Sequence, residues 1–201
     1  MTTVRGLLQM LSSNSLYYQD QDLFDLMIEE LDRANSILSE FLSLAKDKHV
    51  ELLPSSLSSI LSSVIPLIKA NAMAKDISVI FQPKPVPDLL LDSKEIRQLI
   101  FNLTQNSLEA MPPGKTLTLR TYEDNGQVVL LVQDEGSGID DSILDKLGMP
   151  FATSKENGTG LGLSVCYRIA ARHCAAIEVE TGPQGTSFFV RFPLQKKAET
   201  I

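Results

Sequence analysis

A chain of 201 residues with 43% hydrophobic and 21% charged side chains has the material for one or two globular domains with real cores. Its formal net charge of −7 argues against a groove for nucleic acid, whose phosphates require a basic surface. No run approaches the roughly 18 apolar residues of a membrane helix, and no signal peptide opens the chain. These residues are therefore expected to make no membrane contact and to lie in the cytoplasm, even where a part upstream of Met1 anchors the full-length protein.

In chain order, Val4, Leu7, Leu8 and Leu11 recur at helical spacing, residues 12–22 are polar and turn-like, and residues 22–47 read as a longer helix. Its apolar residues fall on two adjacent seams. One is Leu23, Met27, Glu30, Ala34, Ile37, Phe41 and Leu44; the other is Phe24, Ile28, Leu31, Asn35, Leu38, Leu42 and Ala45. A two-stranded coil needs only one seam, so two make a face for more than one neighbour. The expectation is an antiparallel hairpin over 1–48 that pairs with a second copy as a dimeric four-helix bundle. Packing of that face on the chain's own second domain, 49–201, is the alternative.

Residues 48–54 read as a connection with a short strand at 50–53. Pro54-Ser55-Ser56 opens a helix to about Ala74 that carries Leu57, Ile60, Leu61, Val64, Ile65 and Ile68, with a bend at Pro66. A strand at 77–82, a rigid loop at 83–88 and a short buried strand at 89–91 lead to a helix over 95–111 capped by Asp92 or Ser93. Strands at 116–122 and 127–134 flank an Asp124-Asn125-Gly126 turn. After a polar stretch, 140–157, come a helix at 161–173 and strands at 176–181 and 186–192, joined around Gly182-Pro183. Cys166 and Cys174 form no C-x-x-C and no cluster with His49 or His173, so they read as buried thiols in a reducing compartment.

The chemistry concentrates in 133–165, where two glycine-spaced turns lie. Asp134-Glu135-Gly136-Ser137-Gly138-Ile139 follows the apolar run 128–132 and ends it on a carboxylate able to accept a hydrogen bond from an exocyclic amine. Gly158-Thr159-Gly160-Leu161-Gly162-Leu163 leads into a helix, whose unpaired amides and partial positive charge suit phosphate; glycine lets the backbone come close. The pair reads as a nucleotide site. It is neither a P-loop, since no G-x-x-x-x-G-K-[ST] occurs, nor a dinucleotide fingerprint. Upstream, Asn102 and Asn106 share one face of the 95–111 helix. Asparagine is a middling helix former, so the two are either solvated or capping residues, or there for a purpose.

Together these elements resemble the GHKL superfamily of ATPases, which includes gyrase B, MutL and heat-shock chaperones, and are most similar to its sensor histidine kinases. The likeness covers 95–193: an N box at 102–110, a G1 box at 134–139, an F box at 150–155, a G2 box at 158–163 and Gly185-Thr186-Ser187-Phe188 as the last box. The fold it implies is α+β, a two-layer α/β sandwich of the Bergerat type with helices on one face of a mixed sheet. It also implies ATP and Mg²⁺. Asp134 would accept a hydrogen bond from the adenine amino group, which guanine lacks at that position. Asn106 would hold Mg²⁺ through its amide oxygen. Asn102 stands where hydrolytic relatives place the glutamate that activates water, a departure that suits delivery of phosphate to a side chain. Gly136, Gly138 and Ile139 of G1 and Gly158, Thr159, Gly160, Leu161 and Gly162 of G2 would line the nucleotide. Lys155 would reach its terminal phosphate when a lid over 140–157 closes, and Thr186 would sit by the base through a water.

Residues 1–9 resemble the segment just after the H box of dimerisation and histidine-phosphotransfer hairpins, as in sporulation-type kinases. The phosphoacceptor histidine would then precede Met1, so a truncation is expected there, with no autophosphorylation of this fragment; neither His49 nor His173 matches the acceptor pattern. The implied function is the ATP-binding core of a two-component sensor histidine kinase, with a homodimer partner and a cognate response regulator. From another class, a dimeric nucleotide-holding regulatory scaffold or anti-sigma-like protein remains open.

Overall fold

The computed structural model describes residues 2–45, 50–153 and 158–194. The chain divides into two compact units, Met1–Asp47 and Lys48–Ile201.

In the first unit, helix α1 (Thr2–Ser12) and helix α2 (Gln21–Ala45) are joined by a 3-10 helix, Ser15–Asp20. The turn-like composition between the helices thus folds as a tight helical connection. Arg5 bonds Asp32 at 2.8 Å and Ser12 bonds Asp25 at 3.3 Å, so the two helices run antiparallel. Tyr17 meets Phe24 edge to face, 6.1 Å between centroids, and closes the turn end. Phe24, Ile28 and Leu31 are half-buried, while Leu23, Met27 and Leu38 of the same helix and Val4, Leu7 and Met10 of α1 are exposed. The side chains of Ile37, Phe41, Leu42, Leu44 and Ala45 lie outside the described residues, as does the backbone of 46–49.

The second unit begins with strand β1 (Leu53–Ser55) and helix α3 (Leu57–Met73), followed by β2 (Ser78–Pro83), β3 (Leu89–Leu91) and helix α4 (Ser93–Ala110). The short strand lies a few residues later than the sequence indicated, and Pro54 belongs to it, leaving Ser56 to cap α3 through a 3.3 Å bond from the Ser59 amide. β1 pairs with β3 in a separate antiparallel ribbon. α3 runs on through Pro66. Beyond its end at Met73 the chain turns at Asp76, whose φ of 55° permits the bonds Ile77 N–Ala72 O (2.9 Å) and Asp76 N–Met73 O (3.1 Å).

Strands β4 (Thr116–Asp124), β5 (Gln127–Asp134), β6 (Ala176–Gly182) and β7 (Gly185–Pro193) complete a five-stranded sheet of order β2-β4-β5-β7-β6. Only β2 and β4 are parallel, so the sheet is mixed. α3 packs over β2, α4 over β4 and β5, and helix α6 (Gly162–Arg172) over β6, giving one layer of helices on one layer of strands. Central β5 is buried from Val128 to Val132, which accounts for its unbroken apolar run. On the sheet's other face Arg191 lies 5.6 Å over the Phe189 ring and bonds Glu178 and Asp124, covering β5 with long side chains. The core joins Leu57, Leu61 and Ile68 of α3 and Ile96, Leu99 and Leu103 of α4 with Leu117, Leu119, Leu130, Val190 and Phe192 of the sheet. No helix among the described residues is long and apolar enough to cross a membrane.

Candidate nucleotide site

α4 is fixed at its start by Asp92, whose Oδ1 accepts from the amides of Lys94 (2.9 Å) and Glu95 (3.3 Å) and whose Oδ2 accepts from that of Glu51 (3.3 Å). Partial burial pushes the Asp92 carboxyl up, but the hydrogen bonds from those three amides outweigh it, and its pKa lies below the usual value. His173 is buried; its Nε2 accepts from the Asp92 amide at 3.0 Å, so the Nδ1, 2.8 Å from Ile169 O, carries the proton. The ring is thus a structural clasp between α6 and α4. His49 lies outside the described residues.

α6 runs antiparallel along one flank of α4, held by three polar rungs. Arg172 Nη2 meets buried Glu95 Oε1 at 2.7 Å, the Cys166 thiol points at Leu99 O at 3.8 Å, and Asn102 Nδ2 donates to Gly162 O at 3.2 Å. Cys166 is fully buried, and burial pushes its thiol up to about 12. Cys174 departs from expectation: it is exposed and sits past the end of α6 at φ 53°. Cys174 N bonds Ala171 O (3.1 Å) and Ala175 N bonds Ala170 O (2.8 Å), the pattern that closes a helix through a left-handed residue.

The G1 turn closes over the other end of α4. Asp134, 4% exposed, is on the helix side of β5; its Oδ1 accepts from the amides of Gly136 (2.9 Å) and Thr186 (3.1 Å), which leaves Oδ2 for a ligand. The Ile139 amide donates to Thr181 Oγ1 at 2.9 Å, Thr181 Oγ1 lies 3.0 Å from Thr186 Oγ1, and the Thr186 amide in turn reaches the Asp134 carboxylate. Added at Gly136, a Cβ would stand 2.8 Å from Ala110 O, because the helix and the turn touch there. Ser107, one turn before Ala110 on the same face, buries a hydroxyl with no partner among the described residues. Sequence reasoning passed it over, since an orphaned hydroxyl shows only in the fold.

Gly160 adopts φ 65° with its would-be Cβ 2.5 Å from the Phe151 backbone, and Phe151 N donates to Gly160 O at 3.0 Å, so the F and G2 boxes are locked together. Thr159 Oγ1 accepts from Leu161 N (3.2 Å), and α6 starts at Gly162 without a side-chain cap. Gly158 lies just before this turn and Gly138 within G1, at φ 81°. Asn106 is half-buried, and its side chain makes no hydrogen bond among the described residues. In the lid region a four-residue helix, α5 (Asp141–Leu144), is capped by Asp140, an element the polar sequence did not announce. Lys155 falls outside the described residues.

Left open among the described residues are Asp134 Oδ2, the uncapped amides at the amino end of α6, the Ser107 hydroxyl and the Asn106 carboxamide. Fold and site define an α+β nucleotide-binding sandwich. The profile of the family described as "Histidine kinase-, DNA gyrase B-, and HSP90-like ATPase" matches residues 91–196, and the chain belongs to that family. It is similar to sporulation kinase C of Bacillus subtilis (strain 168), 33% identical over 198 residues, 97% of this chain and 46% of that protein. Sporulation kinase A of the same organism is 34% identical over 96% of this chain and 32% of its own length. Among solved structures, full-length ShkA in complex with AMPPNP shares the fold at a TM-score of 0.80 and 24% identity, over 98% of this chain and 44% of that one. The histidine kinase ThkA in complex with the response regulator TrrA does so at 0.75 and 22%, over 96% and 57%. The chain spans less than half the length of these sporulation kinases.

Proposed function

We propose that the chain is the ATP-binding catalytic core of a cytoplasmic two-component sensor histidine kinase, delivering the γ-phosphoryl group of ATP to a histidine outside its own 201 residues for relay to a response-regulator aspartate. The observation that carries this reading is Asp134, a buried carboxylate with one oxygen braced by two amides and the other open beside the N-box helix. Sporulation-kinase relatives and the ShkA complex with AMPPNP support it, and the ThkA–TrrA complex supports a response regulator as partner. Mg²⁺ would neutralise phosphate charge. No group of three His, Cys, Asp or Glu side chains among the described residues could hold it alone, so Asn106 would share it with phosphate oxygens and water. The backbone amides around Gly158, Thr159, Gly160, Leu161 and Gly162 would hold the phosphates, with Lys155 closing over them. With Asn102 in place of a carboxylate, that position offers no base to activate water. The exposed apolar side chains of the hairpin, Val4, Leu7, Met10, Leu23, Met27 and Leu38, favour a homodimer over 1–48.

Calorimetric titration of the chain with ADP and GDP in Mg²⁺ tests the reading. ADP should bind and GDP should bind at least about tenfold more weakly, the worth of one lost hydrogen bond to a charged group. Equal binding of both, or of neither, would overturn it.

A further inference from the structure

The two N-box asparagines are four residues apart on one face of α4, yet the structure treats them differently. Asn106 is uncommitted among the described residues, whereas Asn102 spends its amide on the protein, donating from Nδ2 to Gly162 O at 3.2 Å. A carbonyl oxygen only accepts, so the amide orientation at Asn102 is fixed by its partner. That partner is the first residue of α6, a helix with no side-chain cap. The other two rungs, Cys166 to Leu99 and Arg172 to Glu95, lie progressively further from the G2 turn, so Asn102 is the rung nearest the phosphate end. Asn106 lies about 6 Å further along α4, beyond the point where α6 begins.

We propose that Asn102 is a positioning residue: by holding the Gly162 carbonyl it sets the register of α6 against α4, and so the spacing between the G2 amides and Asn106. The proposal rests on the nucleotide reading above and deepens it. Asn102 acts on the phosphates through Gly162, while the metal belongs to Asn106. The donor N–H is the group that matters. An isosteric Asn102→Asp change removes it and sets a carboxylate against the Gly162 carbonyl, so it should harm the site at least as much as Asn102→Ala. Were Asn102 itself a metal ligand, the carboxylate would be the better one for a hard cation, and the effect would have the opposite sign.

The test uses the full chain and its Asn102→Ala and Asn102→Asp variants, titrated by calorimetry with ADP in Mg²⁺, ADP in EDTA, and adenosine. Both variants should bind ADP about tenfold more weakly by the same factor with and without Mg²⁺, and bind adenosine unchanged. Asp134, which serves the base, is not reached by this rung. Amide hydrogen exchange without any nucleotide is the second readout. The amides of residues 165–167, in the first turns of α6, should exchange at least about fivefold faster in both variants while those of β5 stay the same. Asn102→Asp binding Mg·ADP as well as or better than the unchanged chain would overturn the proposal. So would a loss that vanishes in EDTA, or equal weakening of adenosine, or unchanged exchange at 165–167. Failure of the unchanged chain to bind ADP would sink the nucleotide reading instead, with the exchange result still deciding the role of Asn102. If Asn102→Ala does not fold, Asn102→Asp and the milder Asn102→Ser carry the comparison.

Discussion

Replacing Asp134 by asparagine separates the two tasks of its carboxylate. Oδ1 accepts from the Gly136 amide at 2.9 Å and the Thr186 amide at 3.1 Å, tying G1 to β7, and Oδ2 is left for a ligand. In Asp134→Asn the amide oxygen takes the place of Oδ1, because the flipped rotamer would set its NH2 against two N–H donors. The fold should lose only about 1 kcal/mol, the difference between charged and neutral acceptors. The NH2 then stands where Oδ2 was and faces the adenine amino group donor to donor. Losing a hydrogen bond to a charged group costs about 1.5–3 kcal/mol, or about ten- to a hundredfold in ADP affinity. Asp134→Ala should lose as much affinity and orphan both amides as well, for about 2–4 kcal/mol of stability. Calorimetric titration with ADP and urea denaturation read the two effects apart. ADP affinity unchanged in Asp134→Asn would refute the assignment of the base to Oδ2.

Three further outcomes follow from other parts of the chain. Changing Leu31 and Leu38 together to alanine should convert a dimer at tens of micromolar to monomer by light scattering, since each Leu→Ala in a packed seam costs about 2–5 kcal/mol; a monomeric unmutated chain would return the hairpin face to contacts within the chain. Cys174→Gly should raise stability by about 1 kcal/mol, roughly 2–4 °C in Tm, because Cys174 holds a left-handed φ of 53° that glycine adopts without cost; an unchanged or lower Tm would contradict it. The Asp92 carboxyl has a lowered pKa in the folded chain, so its stabilisation is present above the unfolded value near 4 and is lost as pH falls through the folded one. Asp92→Ala should therefore cost about 1 kcal/mol of stability by denaturant titration at pH 7 and progressively less as pH falls below the unfolded value; a loss that did not shrink on acidification would show that the charge does not carry the cap.

What the sequence disclosed was what local chemistry dictates. The helical stripe of α3, the alternation of β4, the apolar run of β5, the turn chemistry between these two strands and the two glycine turns are short-range patterns, and the helix and strands lie where their residues placed them. Asp134 and Thr186 each stand out within their own local motif, but that the Thr186 amide braces the Asp134 carboxylate across 52 positions was not legible there. The three rungs between α4 and α6 are likewise pairings of distant residues that no local pattern marks. Cys174 read as a buried thiol because nothing in its side chain signals a left-handed backbone; glycine usually gives that signal, and here it is absent. Pro54 looked like a helix opener, yet pairing of β1 with β3 claimed it first, a case of tertiary contact overriding a local preference.

The central claim is that the site passes phosphate to a histidine and not merely holds nucleotide. The chain should be incubated with γ-labelled ATP and Mg²⁺ and an excess of an isolated histidine-bearing hairpin from a sporulation kinase, with Asp134→Asn as control. Acid-labile, base-stable label should appear on the hairpin histidine and be absent with the Asp134 variant. ADP binding intact with no label on the hairpin would contradict it and leave a nucleotide-holding regulatory scaffold in its place.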